Sequence, residues 1–433
     1  MVSTSYEAER IIARHQAVLT ALHALCRDRP QLSRFTIRRS PRFMRPMDPT
    51  LRFPALSDLK AACKARVPWF VWEYLDSATG SESVKPRNRA ALERVLFRPA
   101  ILRGPIAPDL TTHLLGIDYA MPVGVAPVGM SGLIWPGAEA ALARMAQARR
   151  IPYTLSTVAT QTPETIGPVA GDMGWFQLYP PKDPGIRADI LTRARNAGFR
   201  VLVLTVDLPG PSRRERQLRA QLAIPPKLTP SMLLQVAQRP AWALGTLRAG
   251  TPRLRLMEEY LKLDGNAPST AHPGYLLRAA PDWEYVRAVR DLWEGPLVIK
   301  GVMDPADAQH LRNAGADAIW VSNHGGRQFD GASASLDALR DIRAALGPDM
   351  PLIYDGGVES GLDVLRALAC GASFTMLGRG WHYALGALGE RGADHLATIL
   401  HDDLIANMVQ MGATRPEQVA SQLAQSNNRR DEM

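Results

Sequence analysis

Short runs of apolar, often β-branched residues recur along the chain, and each run ends in a polar or glycine-rich cluster. Between most of them the apolar residues follow the period of a helix, as at 138–150, 189–197, 305–314 and 335–346. Continuous apolar strands that alternate with helices are typical of a parallel sheet buried on both faces. The apolar runs lie at 121–129, 153–157, 174–179, 201–207, 296–302, 318–324, 352–357 and 374–379.

The eight strand–helix units predict an α/β fold, a closed (β/α)8 TIM barrel. An open doubly wound sheet is not expected, because no dinucleotide-binding glycine pattern follows the first strand. Two regions interrupt the alternation. Residues 51–100 form a helical N-terminal lead-in, and residues 208–283 separate strands four and five by far more than the roughly 2–6 residues usual in such loops. A long excursion at this end of a barrel predicts a lid, a binding loop or a docking surface.

The chain divides into three parts by composition. We expect an N-terminal extension at 1–50, the barrel at 51–415 with the inserted region 208–283, and a polar tail at 416–433. The extension carries one amphipathic stripe followed by an arginine-rich stretch. Two interpretations of it stay open: a lipid-touching or targeting arm, or a segment without a function of its own, which is either a loose extension or upstream sequence that is not translated, since Met47 could also begin the chain. We prefer the second.

Composition excludes several classes of protein. Of the 433 residues 46% are hydrophobic and 21% charged, which are ordinary values for a soluble globular protein. No apolar run reaches the roughly 18 residues of a membrane span, and Glu7 and Glu9 interrupt what would be a secretory signal. Cys26, Cys63 and Cys370 are too few and too scattered for a disulfide framework or a metal site. These features indicate a cytoplasmic protein without a structural metal.

The net charge of +9 is compatible with binding to nucleic acid, anionic lipid or acidic small molecules. The location of the basic residues along the chain distinguishes these partners. Between residues 213 and 255 there are nine Lys or Arg and one acid, Glu215, around the apolar stretch SMLLQVAQRPAWALGTL. Cations mixed with apolar and aromatic residues are typical of an interfacial membrane segment. A basic lid over the barrel mouth is the alternative. Nucleic acid is not expected, because no recognised binding motif is present.

Polar residues at the ends of barrel strands surround the active site in this fold. In this chain they form a nearly complete ring. They are Pro127, Val128, Gly129, Ser156, Thr157, Gln177, Tyr179, Thr205, Asp207, Lys300, Ser322, Asn323, His324, Arg327, Asp355, Gly356, Gly357, Gly378 and Arg379.

The ends of strands seven and eight carry the glycine clusters DGG and LGRG. Bare backbone N–H groups, a helix N-terminus and one arginine are the usual phosphate-binding elements of a barrel. We therefore expect a phosphorylated ligand there, and the alternative is that these glycines only turn the chain.

Three further residues fit proton abstraction next to a carboxylate. Asp207 can accept from one imidazole nitrogen of His324 and leave the other as a base, and Arg327 can clamp a carboxylate through two hydrogen bonds. Lys300 ends an apolar strand, where it could form a Schiff base or stabilise negative charge on a cofactor ring.

Several motifs occur in order along these strands: FQLYPPKD, LTVD followed by SRRER, VIKGV, SNHGGRQFDG, DGGVESGLDVLRALACGA and MLGRG. From about 51 to 415 the chain resembles the FMN-dependent L-2-hydroxy acid dehydrogenase/oxidase family. TLSTVAT and RPAWALGTLRAG make it most similar to the bacterial respiratory L-lactate dehydrogenases. The resemblance implies FMN, oxidation of a small L-2-hydroxy acid, with L-lactate favoured, and a quinone or cytochrome as electron acceptor. We also expect a homo-oligomer, with a peripheral position on the inner face of the cell membrane left open.

The resemblance also implies a role for each site residue. His324 would be the base with Asp207 behind it, and Lys300 would stabilise the reduced flavin ring. The substrate would contact Tyr74, Tyr179, Arg214 and Arg327. The isoalloxazine and ribityl chain would contact Pro127, Val128, Gly129, Ser156, Gln177, Thr205 and Ser322, and the ribityl and phosphate would contact Asp355, Gly356, Gly357, Gly378 and Arg379.

Two positions depart from the family pattern. Glu359 stands where the family usually has a phosphate-binding arginine, so either it turns away or another cation compensates. Val158 stands where glycolate oxidases have a bulky aromatic residue, so glycolate is not the expected substrate. Gly129, in place of alanine, favours a dehydrogenase. The alternatives are an O₂-using oxidase that makes H₂O₂ and a non-catalytic, membrane-associated basic barrel.

Overall fold

Eight parallel strands close into a barrel in the computed structural model of the protein, which describes residues 48–221, 229–261 and 280–424. The neighbouring strands follow the chain order, and the last pairs with the first. An antiparallel hairpin precedes them, formed by β1 (Thr112–Leu114) and β2 (Ile117–Tyr119). The barrel strands are β3 (Val123–Val125), β4 (Tyr153–Ser156), β5 (Gly174–Leu178), β6 (Val201–Thr205), β7 (Leu297–Val302), β8 (Ala318–Val321), β9 (Leu352–Tyr354) and β10 (Phe374–Leu377).

Helices lead into the barrel, follow most of its strands, and form much of the excursion. The prediction of a (β/α)8 barrel with a helical lead-in is therefore confirmed. The helices are α1 (Pro49–Arg52), α2 (Leu56–Arg66), α3 (Trp69–Asp76), α4 (Val84–Glu93), α5 (Ser131–Ile134), α6 (Ala138–Arg149), α7 (Pro163–Ala170), α8 (Pro184–Asn196), α9 (Glu215–Arg219), α10 (Pro230–Ala237), α11 (Pro240–Ala249), α12 (Arg255–Leu261), α13 (Trp283–Leu292), α14 (Pro305–Asn313), α15 (Ser335–Leu346), α16 (Gly361–Ala369), α17 (Arg379–Leu388) and α18 (Glu390–Met411).

Side chains of the strands fill the barrel interior, so it is a packed core and not a channel. Trp175, Trp320 and Phe374 are fully buried there. The β1–β2 hairpin closes the bottom of the barrel, where Tyr119 accepts a hydrogen bond from Trp175 Nε1 at 3.1 Å. The hairpin was not predicted from the sequence, because strands of three residues are too short to show a period.

The barrel helices begin at capping residues that the sequence displays. Asp304 accepts from the backbone N–H of Ala306 and Asp307, and Pro305 follows in the first turn of α14. Ser360 caps α16 in the same way. Such caps satisfy backbone donors that a helix leaves unpaired and contribute about 1 kcal/mol each. The caps and the buried strands therefore place the strand ends reproducibly at one face of the barrel.

The lead-in packs across the barrel mouth through close contacts with α17. Leu56 lies against Gly380, and a Cβ atom at Gly386 would lie 2.3 Å from Cys63 Sγ. Only glycine permits this approach of α2 to α17. The lead-in thus becomes part of the wall around the strand ends, next to β9 and β10.

The C-terminal part of the chain returns to the lead-in. Pro416–Gln422 form a 3₁₀ helix with Val419 buried, and Leu423 pairs with Phe97. The packed part of the chain therefore extends beyond the predicted boundary at 415. The N-terminal extension predicted at 1–50 lies mostly outside the described residues.

Candidate active site

A cavity of about 1480 Å³ occupies the carboxyl ends of the barrel strands. Most predicted site residues line it, and the rest lie in the layer behind it. The lining residues are Tyr74, Pro127, Val128, Gly129, Tyr179, Arg214, Lys300, His324, Arg327, Asp355, Gly356, Gly357, Gly378 and Arg379. Ser156, Gln177, Thr205, Asp207 and Ser322 are absent from the lining and are buried or mostly buried.

His324 and Asp207 meet across the cavity wall, as the sequence predicts. His324 Nδ1 lies 3.0 Å from Asp207 Oδ2 and 3.2 Å from Oδ1. His324 has a positive φ of 56°, in a short 3₁₀ turn directly after β8, and its backbone N–H donates to Ser322 Oγ at 3.0 Å. Because the carboxylate accepts from Nδ1–H, Nε2 remains as the free imidazole nitrogen.

The surroundings of this pair favour a neutral imidazole. Burial lowers the pKa of His324, Asp207 acts to raise it, and the charges of Lys300 and Arg214 lower it further. Burial acts to raise the pKa of Asp207, but His324 and Lys300 keep it below its ordinary value. A neutral histidine beside an ionised carboxylate is the protonation state of a general base.

Lys300 is held as a fixed positive charge at the end of β7. Its Nζ lies 3.2 Å from Asp355 Oδ2 and donates to Ser322 Oγ at 2.8 Å. Ser322 and the Trp320 indole also donate to the Asp355 carboxylate. The network orients the ammonium towards the cavity, an arrangement that suits stabilisation of negative charge better than Schiff-base chemistry.

Two arginines converge on the same part of the cavity. Arg327 Nη1 donates to the backbone carbonyls of Tyr74 at 3.0 Å and Ser77 at 2.9 Å, at the C-terminal end of α3. Arg214 Nε donates to the Arg327 carbonyl at 3.2 Å. Burial and the adjacent Arg214 lower the pKa of Arg327 to about 9. Two guanidinium groups so close together favour an anion between them, such as a carboxylate.

Tyr74 and Tyr179 complete the predicted substrate contacts at the cavity wall. The Tyr74 hydroxyl donates to the Gly129 carbonyl at 2.9 Å, and the Arg327 guanidinium lies 5.6 Å from the centroid of its ring. A Cβ at Gly129 would lie 2.7 Å from Val158 Cγ2, so a larger residue at this position would force Val158 to shift.

Two buried polar atoms behind the cavity have no hydrogen-bond partner among the described residues, as expected if a cofactor supplies one. Ser156 donates to Gln177 Oε1 at 2.8 Å, which leaves Gln177 Nε2 buried without a partner among the described residues. Thr205 Oγ1 is buried without one as well. Buried polar atoms are costly unless paired, and the nitrogen and oxygen atoms of a flavin ring would supply partners of the required chemistry for these two. The residues present therefore fit the cofactor that the resemblance implies.

The glycine clusters form the other end of the cavity. Gly356 and Gly357 have φ angles of 117° and 82°, and a Cβ at Gly356 would lie 2.2 Å from Ser335 Oγ. Helix α17 begins at Arg379, whose Nη2 donates to the Gly325 carbonyl at 2.6 Å. Open backbone N–H groups beside a helix N-terminus suit a phosphate.

Sequence reasoning placed Tyr74 of the lead-in and Arg214 of the excursion at the site, but it missed the other residues that these two regions contribute to the cavity. Lys60, Lys85 and Arg89 line its phosphate end, and Phe70 and Trp242 line its outer part. The lysines and arginine lie in helices that read as ordinary charged surface, so no sequence signal distinguishes them. In the part of the chain that the structure describes, no cluster of His, Cys, Asp or Glu could hold a metal ion.

Comparisons with known proteins agree with this site. A family model described as FMN-dependent dehydrogenase matches residues 63–426. A protein named L-lactate dehydrogenase from Pseudomonas syringae pv. syringae (strain B728a) is 38% identical over 368 residues, 84% of this chain and 96% of that protein. A protein of the same name from Yersinia pestis (strain Pestoides F) is 36% identical over 372 residues, covering 83% and 95% of the two chains.

Two solved structures are similar over nearly their whole length. The monotopic membrane protein (S)-mandelate dehydrogenase has a TM-score of 0.78 and 31% identity, covering 86% of this chain and 98% of that one. Mandelate oxidase with (S)-2-phenylpropionate has a TM-score of 0.71 and 32% identity, with the same coverage.

Proposed function

Because this chain belongs to the FMN-dependent dehydrogenase family, we propose that it oxidises an L-2-hydroxy acid to the 2-oxo acid, with L-lactate as the favoured substrate. FMN is its cofactor, and the chain is an oxidoreductase. The observation that carries the substrate class is the His324–Asp207 pair, which lies beside Arg327 and Arg214 in one cavity. A base next to a carboxylate clamp matches a substrate whose reacting carbon is adjacent to a carboxylate.

The residues divide the work of the reaction. Arg327 and Arg214 bind the substrate carboxylate and fix the α-carbon close to His324. His324 Nε2 takes a proton from the substrate, and Asp207 stabilises the imidazolium that forms. FMN, when bound, accepts the two electrons that leave the substrate, and Lys300 holds a positive charge next to the cavity.

L-lactate is favoured because the curated relatives carry that name. Steady-state assays with a dye acceptor and L-lactate, D-lactate, glycolate and (S)-mandelate test the proposal. We expect L-lactate to give the highest kcat/KM and D-lactate to be inactive. Turnover of (S)-mandelate alone would replace lactate by an aromatic acid, and no turnover of any 2-hydroxy acid would contradict the reaction itself.

We also propose a membrane surface as a partner, with a quinone or a cytochrome as the acceptor. Helices α10 and α11 bury Met232 and Trp242 against the barrel mouth and leave four leucines largely exposed, of which Leu233 and Leu247 also line the cavity. Trp242 Nε1 donates to the Leu133 carbonyl at 3.1 Å, and its ring packs edge-on against Phe70 at 5.9 Å. The exposed leucines are Leu233, Leu234, Leu244 and Leu247.

Only part of the basic segment is available to such a surface. Arg214 belongs to the active site, and Arg216 pairs with Glu73 and Asp76 of α3. Arg219 and Arg248 are exposed and have no ion-pair partner among the described residues. Cations beside exposed leucines suit an anionic bilayer surface. No helix in the described ranges is long and apolar enough to cross a membrane.

Oxygen consumption separates the dehydrogenase from the oxidase alternative. We expect a ubiquinone analogue to re-oxidise the enzyme much faster than dissolved O₂, with little H₂O₂ formed. H₂O₂ in amounts equal to the 2-oxo acid produced would favour the oxidase. Light scattering of the purified protein tests whether it is a homo-oligomer.

A further inference from the structure

The phosphate end of the cavity contains more cations than the sequence motif suggests, and it carries the acid Glu359 in place of the expected arginine. Lys60, Lys85, Arg89, Arg379 and Glu359 all line it, together with the glycines after β9 and before α17. Glu359 is exposed, and its backbone N–H donates to Asp363 Oδ2 at 3.0 Å. A carboxylate at this position repels a phosphate. Another cation must therefore supply the positive charge that binds it.

We propose that Lys60, on the lead-in helix α2, provides the second positive charge for the FMN phosphate beside Arg379. It replaces the cation that residue 359 does not supply. The cofactor is therefore held from outside the barrel strands, by a helix that precedes them.

Two of the other cations are already committed. Arg89 Nη1 donates to the Gly357 carbonyl at 2.7 Å and pairs with Asp363 at 2.5 Å. Lys85 Nζ donates to the Asp76 carbonyl at 2.9 Å and pairs with the carboxylates of Asp76 and Glu82. Both therefore fix the lead-in to the barrel.

Lys60 is less constrained and well placed. Its Nζ lies 3.6 Å from Asp76 Oδ1, and 37% of its side chain is exposed. The ammonium lies 5.4 Å from the centroid of the Tyr383 ring. Tyr383 is one turn beyond Arg379 on α17, so this ammonium lies near the N-terminus of that helix. A phosphate bound at that N-terminus would lie within reach of a lysine side chain.

Removal of Lys60 should leave the fold intact. Asp76 keeps Lys85 at 3.3 Å and Arg216 at 2.9 Å, and Tyr383 Oη still donates to it at 2.7 Å. Leu56 and Cys63 continue to pack α2 against α17. A loss of FMN in a Lys60 variant would therefore report the missing charge.

Flavin titrations of the full-length protein, stripped of FMN, test the proposal. For Lys60→Gln we expect the Kd for FMN to rise about tenfold, as for loss of one hydrogen bond to a charged group. The Kd for riboflavin, which lacks the phosphate, should not change. Lys60→Arg should keep the wild-type affinity for FMN. The readout is quenching of flavin fluorescence and does not depend on turnover.

Lys64→Gln is the matched control, because Lys64 lies on the same helix with its ammonium over the Trp72 ring and outside the cavity. It should bind FMN as wild type does. The double variant Lys60→Gln with Glu359→Arg should recover most of the lost affinity. An unchanged FMN affinity in Lys60→Gln, or an equal loss of riboflavin affinity, would overturn the proposal.

Discussion

The barrel mouth and the excursion after β6 differ in which side chains they bury. The mouth buries ionisable groups, whereas the excursion exposes apolar ones. At the mouth, ionisable side chains are buried and hydrogen-bonded in pairs, as in His324–Asp207 and the ion pair Lys300–Asp355. In α10 and α11, apolar side chains are exposed: Leu244 is 52% and Leu247 80% accessible. Buried ion pairs cost desolvation, and exposed leucines forgo the burial of apolar surface.

These two unfavourable arrangements point to different functions for the two regions. Lys300 donates a further hydrogen bond to Ser322 besides its ion pair with Asp355, and this keeps its position fixed before substrate binds. Groups that are fixed in advance in this way stabilise charge during catalysis. The leucines of the excursion gain their burial only against another surface. We therefore expect substitutions at the mouth to change turnover, and substitutions in the excursion to change binding to a membrane surface.

The largest effect is expected at the mouth. His324→Gln should lower kcat by about 10²–10⁴-fold, because Nε2 is the only nitrogen of the pair that is free to take a proton. FMN should stay bound, as judged by its absorption band. A variant with near-normal kcat would remove His324 from the mechanism.

Arg327→Lys should lower kcat/KM by roughly 10–100-fold for every carboxylate substrate. Lysine keeps the charge but cannot provide the planar fork, and a hydrogen bond to a charged group contributes roughly 1.5–3 kcal/mol. Steady-state kinetics with L-lactate measure the loss, and Arg248→Lys serves as a control in the excursion. If kcat/KM is unchanged, another residue binds the carboxylate.

In the excursion, Leu234→Gln with Leu244→Gln should reduce binding to anionic vesicles about tenfold or more, because each leucine contributes burial at the interface. Activity with a soluble dye should be unchanged. Co-sedimentation at low and high salt measures binding. Leu102→Gln, at a leucine 97% exposed outside the excursion, is the control. Wild-type protein that stays in the supernatant at low salt would leave the excursion as a lid only.

The smallest expected effect is on pH dependence. Because the pKa of His324 lies below its ordinary 6.5, the acid limb of kcat/KM should have its midpoint below that value. Asp207 acts to raise this pKa, so Asp207→Asn should move the acid limb to lower pH while it lowers kcat. An acid limb that shifts upwards in this variant would contradict the electrostatics of the pair.

The alternation of apolar runs was enough to locate all eight barrel strands, since strands buried on both faces are uniformly apolar. The strand ends then named the residues around the cavity, because parallel strands present their carboxyl ends at one face. The β1–β2 hairpin and the packing of 416–424 escaped this reasoning. Their segments are short or polar, and their burial depends on distant partners such as Trp175 and Phe97.

The sequence by itself thus determined the barrel, the ring of polar residues and the His324–Asp207 partnership. Only the tertiary structure decided how the phosphate end is charged and which cations of the excursion are available. Arg216, for example, forms ion pairs with Glu73 and Asp76, which lie more than a hundred residues earlier in the chain. The physical reason is range: burial patterns are local in sequence, whereas the partner of a charge is set by distance in space.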